Sequence, residues 1–265
     1  MSRLMKEKLN IVKVGGAIVE KEESLAPLLK SFTALPGLKI LVHGGGKIAT
    51  SIAASLGIET QMIGGRRVTS ARMLEVVTMV YGGLVNKNLV ARLQAMGLDA
   101  IGLTGADLDI IRSVRRPAEP IDFGFVGDVR KVNAEALRDL LARGSVPVLA
   151  PLTHDGNGTI LNTNGDTIAS SAAKALSEYF DVTLTFCSST PGVMADIADP
   201  DSLIHRITPE VYRKLVAEGV ISDGMIPKLD NAFEAIGAGV TRVVITSASD
   251  IAGGTEILGQ EQDNG

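Results

Sequence analysis

The chain has no tryptophan, and its aromatic residues together make up only 3%. Binding of single-stranded nucleic acid relies on aromatic stacking platforms, so that class is disfavoured. Positive charge is not in excess either. Lys and Arg number 26 against 30 Asp and Glu, and the net charge of -4 lacks the basic footprint of a nucleic-acid partner. One cysteine, Cys187, excludes an internal disulfide and a cysteine-rich metal centre, and it fits a reducing cytoplasm. No window approaches about 18 uninterrupted apolar residues, so no membrane-spanning helix is expected. The charged residues Met1 to Lys8 precede an apolar run too short for a secretory signal.

Several motifs are missing too. Gly44-Gly45-Gly46-Lys47 is followed by Ile48, so the hydroxyl that would hold a metal in a P-loop is absent. There is no G-x-G-x-x-G at the first strand and no H-E-x-x-H. His43, His154 and His205 lie far apart in sequence. The stretch Asp155 to Asp166 has Ile160 where a calcium loop needs glycine, and Asp166 where it needs glutamate.

What is present is a set of apolar runs alternating with helical patterns. Strands are expected at Leu9–Val14, Leu38–His43, Ala100–Leu103, Val146–Ala150, Val182–Phe186 and Arg242–Thr246. Helices are expected near 22–34, 46–56, 70–96, 134–143, 166–179, 208–218 and 228–238. Continuous Val/Ile/Leu runs mark strands buried on both faces. Alternating units then imply an α/β fold, a three-layer α/β/α sandwich around a mainly parallel open sheet. Residues 107–132 and 152–162 break the rhythm and read as β-hairpin loops or flaps over the strand ends. The 265 residues, 45% hydrophobic, suffice for one large core or two fused lobes. In the 70–96 helix, Met73, Val76, Val77, Val80, Leu84 and Leu93 line one face, and Leu74, Val85 and Leu89 add a second. A helix apolar over most of its circumference is either central core or an oligomer contact.

Two glycine turns carry the chemistry. Val12-Lys13-Val14-Gly15-Gly16 and Leu41-Val42-His43-Gly44-Gly45-Gly46-Lys47 each end a strand and open a helical stretch. Glycines there let backbone N–H groups approach anionic oxygens closely. Lys13 inside a buried sheet needs a partner or a site, or else it snorkels at the strand end. Asn162-Thr163-Asn164-Gly165-Asp166 precedes a helix. Asn164 either caps that helix or faces the cleft. Lys228 follows Pro227 in a first helical turn, where a cation opposes the helix dipole. Either a bound polyphosphate accounts for it or the side chain is solvated.

Taken with Gly65-Arg66-Arg67-Val68-Thr69 and Gly219-Val220-Ile221-Ser222-Asp223-Gly224-Met225-Ile226-Pro227-Lys228, these motifs resemble the amino acid kinase family. Within it, the match is to members that phosphorylate N-acetyl-L-glutamate. The motifs follow the family's order and spacing over nearly the whole chain. The resemblance implies ATP, with Mg2+ carried on it, as phosphoryl donor and the γ-carboxylate of an N-acyl-L-glutamate as acceptor, in arginine biosynthesis. It implies that Lys13 and Lys228 stabilise the transferring phosphoryl group and that Asp166 holds them. Gly44, Gly45, Arg67 and Asn162 would bind the acyl amino acid. Gly15, Gly16, Ser188, Gly192, Ile221, Ser222 and Met225 would border the phosphates and nucleotide. Arg66 is expected as a surface or secondary contact. Residues 1–180 would form the acyl-amino-acid lobe and 181–265 the MgATP lobe. A homodimer through the 70–96 helix is implied, insensitive to arginine because the chain begins only twelve residues before Lys13. The turn Ser188-Ser189-Thr190-Pro191-Gly192 departs from the Asp-containing turn of relatives. Two alternatives stand beside this reading. One is N-succinyl-L-glutamate as acceptor, its extra carboxylate met by Arg112, Arg115 or Arg116. The other is a non-catalytic amino-acid or nucleotide sensor.

Overall fold

The computed structural model describes residues 6–199, 201–221, 225–251 and 253–259. In chain order the first half supplies β1 (Lys8–Val14), α1 (Gly16–Val19), α2 (Glu22–Ala34), β2 (Leu38–His43), α3 (Gly46–Ser55), β3 (Met62–Ile63), β4 (Arg66–Arg67), α4 (Ala71–Val77), α5 (Asn86–Ala95), β5 (Ala100–Leu103), β6 (Ile111–Arg115) and β7 (Gly127–Val132). There follow α6 (Ala134–Ala142), β8 (Val146–Leu149), β9 (Leu152–His154), β10 (Ile160–Asn162), α7 (Gly165–Leu176), β11 (Asp181–Ser188), β12 (Arg206–Ile207), α8 (Pro209–Ala217), α9 (Ile226–Gly237), β13 (Arg242–Ser247) and β14 (Thr255–Ile257).

The main sheet runs β12-β14-β13-β11-β1-β2-β8-β5, and its pairs are parallel except β13 with β14. β1 is central because its apolar residues have two destinations. Leu9 and Ile11 pack with α7 and α9 residues on one face, while Val12 and Val14 pack with α2, α3 and α4 on the other. Strand parity follows from the two-residue repeat. It puts Lys13 on the α7/α9 face and, one strand over, His43 on the α4/α5 face beside Leu41. The two hydrophobic clusters therefore correspond to the faces of one continuous sheet, and each draws residues from both sides of residue 180.

The expected hairpin regions are strands, but they are not independent flaps. β6 and β7 pair antiparallel, β9 and β10 do the same, and β6 joins β9 into one four-stranded sheet ordered β10-β9-β6-β7. Buried Ile111 and Leu152 tie this sheet to the two cores, which gives it a reason to be rigid. Two-residue strands such as β3, β4 and β12 carried no periodic signal long enough to read.

The 70–96 helix also differs from expectation. Ser70 caps it by accepting the Met73 N–H. Its middle, Thr78–Val85, is wound as a π-helix between α4 and α5. The wider turn advances the buried stripe in steps of four, through Val77, Tyr81, Val85, Leu89 and Leu93. Leu84 consequently leaves the buried face and is 48% exposed, with Met79 at 56%.

Candidate active site

Parallel strands with helices on both faces open their ligand cleft at the strand C-termini, and both glycine turns lie there. The turns touch. A Cβ on Gly44 would stand 2.8 Å from the Gly16 nitrogen, and one on Gly16 would stand 3.1 Å from the nitrogens of Gly45 and Gly46. The N–H groups of Gly16, Gly45 and Gly46 find no acceptor among the described residues. Unpaired N–H groups at two helix N-termini form a cradle for anionic oxygens. Gly15 closes its turn from below, donating to the Cys187 carbonyl at 3.4 Å.

Beside the cradle, β1, α7 and α9 bring three charges together. Lys13 Nζ lies 2.7 Å from Asp166 Oδ1, and Lys228 Nζ lies 2.9 Å from Asp166 Oδ2. Lys13 is thus paired rather than snorkelling. The dipole mismatch at Lys228 is met by the Asp166 carboxylate, and its ammonium also sits over the Phe186 ring, 5.1 Å from the centroid. Asn164 caps α7, its side chain accepting from the N–H groups of Asp166 and Thr167. That cap sets the first turn of α7 and hence the place of Asp166. Gly165 makes room for Lys13, whose Cε would lie 3.3 Å from a Cβ there.

Burial pushes the Asp166 carboxyl up, but the charges of Lys13 and Lys228 outweigh it and hold the group well below the ordinary carboxylate range. Burial pulls the Lys228 ammonium below its usual value; Asp166 opposes this and the Lys13 charge adds to it. A carboxyl depressed on folding stabilises the protein fully above its unfolded value of about 3.9, and that contribution drains as pH falls toward the folded value. Between pH 5 and 2 the melting temperature of the wild-type protein is therefore expected to fall more steeply than that of Asp166→Asn. Parallel slopes would show that Asp166 contributes nothing to acid sensitivity.

A cavity of about 190 Å³ opens over the cradle, walled by Gly44, Gly45, Arg66, Arg67, Tyr81 and Asn162 among others. Arg67 is buried and reaches across from β4 to α3. Its Nη2 donates to the Gly46 carbonyl at 2.7 Å and to Thr50 Oγ1 at 2.9 Å, and its Nη1 to Thr60 Oγ1 at 3.2 Å. Asn162 is buried too, its amide donating to Thr69 Oγ1 at 2.9 Å. Arg66, expected as a surface or secondary contact, is half-buried at the cavity wall. Tyr81 was missed. The Gly82-Gly83 pair after it, unusual inside a helix, was the signal available.

The other sequence-derived positions scatter. Ser188 lies with Lys47, Ser247 and Ser249 on a separate cavity of about 480 Å³. Gly192 is buried, and a Cβ there would strike Thr255 Oγ1 at 2.5 Å, so packing requires the glycine. Ile221 is buried in the α7/α9 core, and Met225 directly precedes α9. Ser222 lies outside the described residues. The three arginines offered to a second acyl carboxylate are engaged elsewhere. Arg112 pairs with Asp109 at 2.7 Å, Arg115 with Asp122 at 3.7 Å, and Arg116 with Asp128. The 190 Å³ cavity has none of them in its wall.

Comparison with known proteins points one way. The model of the amino acid kinase family matches residues 8–247. An acetylglutamate kinase of Phocaeicola vulgatus is 61% identical over 95% of this chain and 98% of its own length. That of Bacteroides thetaiotaomicron is 62% identical over 93% of this chain and 96% of its own. Among solved structures, a Streptococcus mutans protein superposes with a TM-score of 0.80 at 27% identity, covering 94% of this chain and 98% of its own.

Proposed function

This chain belongs to the amino acid kinase family, and on that premise we propose that it is an enzyme transferring the γ-phosphoryl group of ATP to the γ-carboxylate of N-acetyl-L-glutamate. The observation that carries the proposal is the lysine-carboxylate-lysine array at 2.7 and 2.9 Å beside a cradle of free glycine N–H groups.

An ionised γ-carboxylate needs no general base, since its ordinary pKa of about 4.3 leaves it deprotonated at neutral pH. One carboxylate oxygen attacks the γ-phosphorus, and the bond to the β,γ-bridging oxygen breaks as ADP leaves. No proton moves. The protein's task is alignment and neutralisation of charge on the phosphoryl oxygens. Lys13 acts from the acceptor side, Lys228 from the ATP side, and Asp166 keeps both ammonium groups fixed between turnovers. The N–H groups of Gly16, Gly45 and Gly46 receive phosphoryl and carboxylate oxygens. Arg67 and Asn162 hold the α-carboxylate end of the acyl amino acid.

Mg2+ bound to the nucleotide phosphates would shield their charge. The donor set suits that arrangement, since both Asp166 oxygens already face ammonium groups. Residues 1–180 bind the acyl amino acid and 181–265 bind MgATP, with Ser188 and Met225 toward the nucleotide. The setting is the cytoplasm, in keeping with a single unpaired cysteine; no described helix is long and apolar enough to cross a membrane. Exposed Met79 and Leu84 on the π segment support a homodimer through residues 70–96.

The test is MgATP-dependent ADP release with N-acetyl-L-glutamate, N-succinyl-L-glutamate and free glutamate in parallel. Turnover of the acetyl compound and none of free glutamate is expected. Background rates on both acyl compounds would overturn the proposal. A preference for the succinyl compound would keep the array and reject the acetyl assignment.

A further inference from the structure

A carboxylate acceptor leaves His43 no proton to move, yet the ring is wholly buried and bonded at both nitrogens. Its Nδ1 lies 2.9 Å from the Gly44 carbonyl oxygen. Its Nε2 lies 3.1 Å from Asn86 Nδ2, which also donates to the Val148 carbonyl at 2.9 Å. An amide nitrogen has only protons to offer, so Nε2 accepts. The proton then resides on Nδ1, which donates to Gly44. Burial, against a smaller opposing effect of the Gly44 bond, lowers the ring to about 4, so it is neutral at pH 7.

Asn86 is itself held from three sides. It is the first residue of α5, directly after the π segment. Its Oδ1 has no hydrogen-bond partner and lies over Gly102, where a Cβ would come within 1.9 Å. The same π segment presses Tyr81 and Val85 against the glycine turn: a Cβ on Gly45 would meet them at 3.1 and 3.3 Å. The π segment thus sets both the amide that follows it and holds His43, and the wall behind Gly45.

A planar trans peptide points its C=O and the following N–H in opposite directions. Tying the Gly44 carbonyl to His43 therefore aims the Gly45 N–H away from the ring, in a turn that packs directly against Gly16. We propose that His43, held by Asn86, is a positioning residue that locks the Gly44–Gly45 peptide with its N–H toward the transferring phosphoryl group. The proposal rests on the kinase reading above. Without the lock the peptide can turn over and present a carbonyl oxygen to an anion.

Two substitutions separate the halves of the ring. An asparagine amide reaches the place of Nδ1, so His43→Asn keeps the donor to Gly44 and gives up Asn86. A glutamine amide reaches the place of Nε2, so His43→Gln keeps Asn86 and gives up Gly44. Steady-state kinetics with N-acetyl-L-glutamate should show kcat reduced about 10²-fold in His43→Gln, the scale of a lost oxyanion donor. KM for ATP should stay within about twofold, and His43→Asn should recover most of the loss. Equal kcat in the two variants, whether both retained or both lost, would assign His43 to packing and overturn the proposal. Should His43→Gln not fold, Asn86→Ser loosens the ring from behind; wild-type kcat in that variant would also overturn it. An inactive wild-type protein would instead reject the kinase reading, whereas an active wild type with a fully active glutamine variant rejects the His43 assignment alone.

Discussion

Lys13→Ala and Lys228→Ala are each expected to lower kcat by about 10²–10³ while the protein folds as before. The array explains both halves of that expectation. Two ammonium groups share one carboxylate, 2.7 and 2.9 Å away, so the cluster carries one surplus positive charge before any substrate arrives. That surplus suits a phosphoryl group whose negative charge is spread over several oxygens during transfer. Removing either lysine leaves the other paired with Asp166, and the remaining pair is balanced. In Lys228→Ala the burial cost of that ammonium and its repulsion from Lys13 both disappear, which offsets the lost contact with Asp166. Far-ultraviolet circular dichroism and thermal melting should therefore match the wild type, with turnover nearly gone. Retention of more than a tenth of wild-type kcat in either variant would refute a direct electrostatic role.

Asp166→Asn should behave in the opposite way, losing stability as well as activity. The amide leaves Lys13 and Lys228 facing each other with side chains 13% and 11% exposed and no counter-charge. Breaking a buried ion pair by removing one partner costs roughly 3–5 kcal/mol, because the survivor is left charged and poorly solvated. Here two survivors remain, so the upper part of that range applies. Urea denaturation reads this directly as a lower midpoint at unchanged slope. The double variant Asp166→Asn, Lys228→Ala should recover part of the lost stability and none of the activity. If the single variant melts with the wild type, the carboxylate is not what holds the lysines.

Much of this was legible in the sequence, and the reasons differ by residue. The central strands announced themselves because burial on both faces demands unbroken apolar runs, as in Leu9–Val14 and Leu38–His43. Lys13 stood out because a charge in such a run must find a partner. Asp166 was legible as a companion only through the order of motifs, since it lies far from both lysines in the chain. The belonging to the amino acid kinase family, read from those motifs, agrees with the match over residues 8–247. The π segment was not legible: its apolar residues satisfy an α-helical pattern equally well, and only the Gly82-Gly83 pair hinted at a looser turn. Arg112, Arg115 and Arg116 misled for a related reason. A sequence shows that guanidinium groups are available but not that Asp109, Asp122 and Asp128 already occupy them.

Cys187 offers a different use of the fold. It is the chain's only thiol, it is 1% exposed, and burial raises it to about 12 against the smaller opposing effect of Lys13 and Lys228. A thiol in that state is inert to alkylation until the strand around it opens. Its backbone carbonyl receives the Gly15 N–H at the mouth of the first glycine turn. The rate at which a maleimide or disulfide reagent labels the native protein is thus a clock for local opening of the sheet directly behind the cradle. No probe need be engineered to read it.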